Sequence, residues 1–194
     1  MQGFVAFIVA SLIPPIVIDA AEPRPRQARD GMVEAHNAVR QRITPDLPSL
    51  SWSERTAEQA QAWADALARD GCEMRHNPDL QEYGQNLYWA GPAREVAITR
   101  LTRTGEAVDR DVKISVQEIA AEDVVASWAS EKQWYDADTN ECQAPKGASC
   151  GHYTQIVWAD TTAVGCGMSV CESQGQIWVC DYYPAGNIAG QRPY

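Results

Sequence analysis

Phenylalanine is nearly absent from this chain, two residues in 194, while Trp and Tyr number seven each. Large apolar area therefore comes almost entirely from rings with a polar handle, which suits both core packing and a wet groove. Cations are also in short supply: 16 Lys and Arg stand against 26 Asp and Glu, a formal net charge of -10. That balance argues against nucleic acid, whose binding needs a basic stripe to displace counterions, and against an anionic membrane surface. An apolar or cationic ligand is not excluded. Missing as well are H-E-x-x-H, the G-x-S-x-G elbow, the P-loop and G-x-G-x-x-G, so no standard enzyme signature promotes a catalytic set.

What is present fits one domain, because 194 residues with 45% hydrophobic and 22% charged content can bury a single core. The first residues, Gly3 to Ile18, are apolar and uncharged, and Ala20-Ala21 follow Asp19. The run has the length of a signal-peptide core and is short for a membrane span. Residues 1–21 are therefore expected to be a cleaved leader, with no stable membrane insertion afterwards. Residues 22–29, EPRPRQAR, read as an extended linker.

Six cysteines follow: Cys72, Cys142, Cys150, Cys166, Cys171 and Cys180. Export and an even count favour three disulfides over a metal cluster, and the spacing leaves all 15 connectivities open.

Apolar periodicity predicts a helix over 30–42 with Asp30 as N-cap, and a second over 53–70 opened by Ser53 and stopped by Gly71. A third is expected over 120–132, with Val124, Val125 and Trp128 as its apolar face. Residues 100–116 are charged without clear period and read as a surface loop. Val164–Cys171 and Gln176–Cys180 are β-type runs joined by a turn at 172–175. Helices first and a hairpin late make an α+β arrangement.

Of three histidines, His36 lies on the first helix and reads as structural, while His76 and His152 each sit close to a cysteine. Disulfides there would fix both backbones, the kind of preorganisation a metal site needs.

The run Gly151-His152-Tyr153-Thr154-Gln155-Ile156-Val157-Trp158, with Thr161-Thr162 and Val164-Gly165-Cys166 after it, resembles the first signature of the CAP superfamily. That superfamily joins cysteine-rich secretory, antigen 5 and pathogenesis-related class 1 proteins. Residues 177–187 resemble its second signature, with Asp181 where the family usually carries Asn or another uncharged or basic polar residue. Gly84-Gln85-Asn86-Leu87 and His36-Asn37-x-x-Arg40 match two further elements, and Trp128 to Asp136 is closest to the pathogenesis-related class 1 pattern.

The resemblance implies a CAP/SCP domain over 30–194, a three-layer α-β-α sandwich, and the pairing Cys72–Cys171, Cys142–Cys150 and Cys166–Cys180. In a loop-entropy account the long first bridge would contribute about 4–5 kcal/mol and the short second roughly 2.5 kcal/mol. It makes the longer chain between Asn86 and Trp128 an insertion.

It also implies a cleft of His76, Gln85, Glu131 and His152. His76 and His152 would be ligands for zinc or another divalent cation. Glu131 is the candidate catalytic base, and Gln85 stands where Glu is commonest. Trp134 and Tyr135 are expected to contact a sterol or similar apolar ligand. The expected function is a secreted, monomeric, non-enzymatic lipid-binding or defence protein. The competing readings are a metal-dependent hydrolase using His76, His152 and Glu131, and a precursor releasing residues 184–194 as a signalling peptide.

Overall fold

A computed structural model describes residues 24–104 and 107–194. The expected leader falls outside the described residues. Helix α1 spans Arg24–Ile43, β1 Ser51–Trp52, α2 Glu54–Arg69, β2 Gly84–Ala90, β3 Ala93–Leu101 and β4 Ala107–Ser115. Then come α3 at Ala121–Ala129, a 3-10 turn at Ser130–Trp134, β5 at Tyr135–Asp136 and β6 at Glu141–Cys142. Last are α4 at Gly151–Ile156, β7 at Ala163–Val170 and β8 at Gln176–Tyr183.

The central sheet runs β1-β7-β8-β2, parallel between β1 and β7 and antiparallel elsewhere. Period-2 alternation along β8 sends its side chains to two different cores. Ile177 and Val179 pack with Ala60, Ala64 and Leu67 of α2. Trp178, Cys180 and Tyr182 pack on the opposite face with Met32, Val124, Val125, Trp128 and Tyr153 from α1, α3 and α4. This is the expected α-β-α sandwich. Two glycines let α2 lie close on the sheet: a Cβ at Gly165 would collide with the Ala57 backbone, and one at Gly167 with the Gln61 backbone.

All three expected disulfides are formed, Cys72–Cys171, Cys142–Cys150 and Cys166–Cys180. Cys166 and Cys180 face each other in the β7–β8 register, and the turn joining these strands closes with Cys171 N–H donating to Gly175 O.

Two expectations need correction. Helix α1 spans Arg24–Ile43, so the described part of the stretch read as an extended linker, residues 24–29, is helical and Asp30 lies inside the helix instead of capping it. The stretch 100–116 is largely strand: β3 and β4 form an antiparallel hairpin in which Val96 faces Val112 and Arg94 faces Ile114. Val96, Ile98, Val112 and Ile114 are each about half exposed, so no buried face marked the alternation. By contrast Ser53 caps α2 as expected, its hydroxyl accepting from Thr56 N–H.

The first-helix pattern has a structural explanation. Asn37 both donates to Leu50 O and accepts from Leu50 N–H, clamping the chain before β1. Arg40 donates to Pro48 O, Ile156 O and Trp158 O, gathering the carbonyls at the end of α4. Its guanidinium is pulled down to about 10 by burial. His36 lies between Met32 O (2.7 Å) and the Tyr182 hydroxyl (2.7 Å), and burial lowers its pKa to about 4. It is a structural histidine, as expected.

Candidate binding cleft and cavity

Four residues were expected to share a cleft, and the structure ties them together as two pairs. His76, exposed on the loop between α2 and β2, sets Nδ1 3.1 Å from Gln85 Oε1. The same oxygen accepts Asn77 N–H at 3.0 Å. His152, at the start of α4, sets Nδ1 2.7 Å from Glu131 Oε1, while Glu131 Oε2 accepts the backbone N–H groups of His152 and Tyr153. The ring of His152 lies roughly parallel to Trp128, centroids 6.2 Å apart, and Trp128 donates its indole N–H to Leu87 O.

Strand β2, at the edge of the sheet, connects the pairs. Gln85 holds His76, and the adjacent Asn86 donates its amide to His152 O and to the Tyr182 hydroxyl. Neighbouring strand residues point to opposite faces, so β2 carries one histidine partner on each side.

Chemically, Glu131 is occupied. Two backbone N–H groups at the N-terminus of α4 and the His152 ring converge on its carboxylate, which holds α4 and the imidazole in place. In both pairs the oxygen sits at Nδ1, so a neutral imidazole would keep its proton there and its lone pair on Nε2. A lone pair on Nε2 is the form in which an imidazole can ligate a cation. Among the described residues no group of three or more His, Cys, Asp or Glu could hold a metal ion.

Sequence reasoning did not anticipate the partner of Gln85. Asp181 faces it across β2 and β8, accepting from Gln85 Nε2 at 2.8 Å and from Gln59 Nε2 of α2 at 3.0 Å. Asp181 is fully buried, and burial raises its carboxyl to about 6 against the two amide hydrogen bonds. Its departure from the resemblance was the available signal.

Beyond the first turn of α4 lies a cavity of about 570 Å³, lined by the Cys142–Cys150 loop on one side and residues 187–193 on the other. Tyr135, Ala144, Ala148, Trp158, Ile188 and Pro193 supply its apolar surface. Tyr135 donates its hydroxyl to Asn140 Oδ1. The half-buried Trp134 is not part of this lining; its carbonyl accepts Gln143 N–H. The C-terminal wall is tied down by Asn140 Nδ2 to Gln191 O, Ala159 N–H to Pro193 O, and Arg192 to Ala137 O and Asp138 O.

Sandwich, staples and paired histidines together define a cysteine-bridged α-β-α domain with a bonded histidine on either side of one edge strand. Residues 33–182 match the Cysteine-rich secretory protein (CAP) family, and the chain belongs to that family. Pathogenesis-related protein 1C of Nicotiana tabacum is 31% identical over 188 residues, covering 97% of this chain and 93% of that protein. Peptidase inhibitor 16 of Bos taurus is 34% identical over 202 residues, covering 96% of this chain, but the match spans only 37% of that longer protein. The crystal structure of NaASP2 with Zn2+ superposes with a TM-score of 0.59 at 21% identity, covering 87% of this chain and 85% of that one. That likeness speaks for the fold. No helix among the described residues is long and apolar enough to cross a membrane.

Proposed function

We propose that this is an exported, non-catalytic binding protein of the lipid-binding or defence type, taking a sterol or other small apolar ligand in the cavity beside α4. The cavity carries this reading. Its volume lies in the range of small-molecule sites, and its open mouth sets aromatic and aliphatic carbon beside a comparable polar surface. The Cys142–Cys150 bridge restricts one wall before any ligand arrives, which lowers the ordering cost of binding. Membership of a family of secretory proteins supports export through a leader at 1–21, with the CAP domain beginning near residue 30.

The test is a fluorescent-sterol titration of oxidised protein, with Ile188→Asp and Tyr135→Ala as variants. Saturable binding weakened at least tenfold by either change supports the cavity. Saturable binding that neither change weakens places the ligand elsewhere, and no binding of sterols or fatty acids sinks the proposal.

The histidine cleft is read as a weak divalent-cation site formed by His76 and His152, zinc being the natural probe because the related NaASP2 was solved with Zn2+. A hydrolase reading is less well supported, since Glu131, the candidate base, already receives three hydrogen bonds from α4 and His152.

A further inference from the structure

Position 85 carries an amide where a carboxylate was the commoner choice, yet a carboxylate lies one strand away. Asp181 is the direct cross-strand partner of Gln85, so both side chains leave the same face of the sheet, toward α2. Each Asp181 oxygen is served by a neutral amide, Gln85 Nε2 on one and Gln59 Nε2 on the other. A buried carboxyl group with no exposure to water has strong reason to keep both donors.

These contacts leave the Gln85 amide one orientation. Its Nε2 faces Asp181, and its Oε1 receives Asn77 N–H. Turning the amide over would set N–H against N–H at Asn77 and oxygen against oxygen at Asp181. Because Oε1 can only accept, the His76 nitrogen 3.1 Å away must donate.

We propose that Asp181 is a positioning residue for the histidine cleft: through the Gln85 amide it locks His76 into the Nδ1–H tautomer, leaving the Nε2 lone pair free for a divalent cation. The tautomer half stands on the hydrogen bonds alone; the cation half rests on the cleft reading above. The arrangement parallels Glu131 on His152, with one difference: there the carboxylate touches the ring directly, and here an amide stands between.

Nitrogen-15 spectra of the histidine rings at neutral pH, paired with zinc titration by calorimetry, test both halves. In the wild type His76 is expected as Nδ1–H. Asp181→Ala releases the Gln85 amide, so His76 becomes a mixture of tautomers and zinc affinity drops roughly tenfold, as for other outer-shell partners. Asp181→Asn keeps an oxygen for Gln85 Nε2 while Gln59 turns its own amide to match, and retains the Nδ1–H form. An Nε2–H ring in the wild type, which needs no variant to fold, overturns the proposal. So does an unchanged tautomer in a folded Asp181→Ala protein. If the wild type binds no zinc, the cation reading fails by itself and the ring spectra still decide the positioning role.

Discussion

Glu131 grips His152 at two points: Oε1 meets ring Nδ1 at 2.7 Å and Oε2 accepts the backbone N–H of the same residue at 2.9 Å. An amide can serve both only if its oxygen keeps the backbone N–H groups and its NH2 donates to a His152 ring moved to the Nε2–H tautomer. Glu131→Gln is therefore expected to cost about 1–3 kcal/mol, through loss of the charged acceptor and that forced change of tautomer at the start of α4. For a domain of this size that lowers the melting temperature by roughly 2–4 °C per kcal/mol, readable by calorimetry. An unchanged melting temperature would show that the carboxylate is free, which would restore it as a candidate base.

Two buried groups with opposite pKa shifts make stability a sensitive probe of pH. Burial holds the His36 pKa near 4, so between about 4 and the ordinary 6.5 the unfolded chain binds the extra proton and stability falls on acidification. Burial raises Asp181 to about 6. Between its ordinary value near 4 and about 6 the folded chain binds the extra proton, so this contribution is present at low pH and is lost as pH rises. The slopes oppose each other over nearly the same window. Urea unfolding of Asp181→Asn at pH 4.5 and 6 should therefore show a steeper acid loss than the wild type, by about 1.5 kcal/mol over that interval. Parallel pH curves for the two proteins would contradict the buried state of Asp181.

The sandwich and its staples were legible because signatures near Gly84, Gly151 and Ile177 carry residues with fixed jobs. Gly84 leaves room for the Gln155 side chain, and Cys166 and Cys180 meet in register. The histidine pairs were legible only through the resemblance, since 76 residues separate His76 from His152 in sequence. Asp181 was noticed as a departure, but its purpose depends on a cross-strand register and on Gln59 of another layer. Sequence order shows neither. The start of α1 was misread because the proline-rich run suggested an extended chain, although a proline such as Pro25 is tolerated in a helix's first turn.

The β3–β4 hairpin was missed for a different reason, and it supplies a third prediction. Its strands contact each other extensively, while their described side chains between 94 and 98 and between 111 and 115 are exposed. At its base, Gln117 donates to Gly91 O and Gln176 donates to Gln117 O. Replacing residues 93–115 with a short Gly/Ser turn that keeps Gly91 and Gln117 should leave the three disulfides formed and the near-ultraviolet spectrum unchanged. Loss of oxidative folding in that variant would mean that the hairpin belongs to the core.

Residues 184–194 make the last case, because the segment read as a releasable peptide is also one wall of the cavity. Asn187, Ile188, Gln191 and Pro193 line it. Gly186 N–H is held by Gln155 Oε1, Asn187 Nδ2 by Gly151 O, and the Tyr194 hydroxyl lies 3.2 Å from that of Tyr153. Only the Tyr194 contact reaches a core residue, Tyr153, and none touches the bridge, so a chain ending at Tyr183 should still fold with Cys166–Cys180 closed. It should lose apolar-ligand binding altogether, since ligand carbon on that side would face water. Release of the segment and occupancy of the cavity would then exclude each other, and a bound sterol should slow cleavage after Tyr183 by added protease. Mass spectrometry of timed digests measures this directly. Equal cleavage rates with and without ligand, or full binding by the shortened chain, would separate the segment from the cavity.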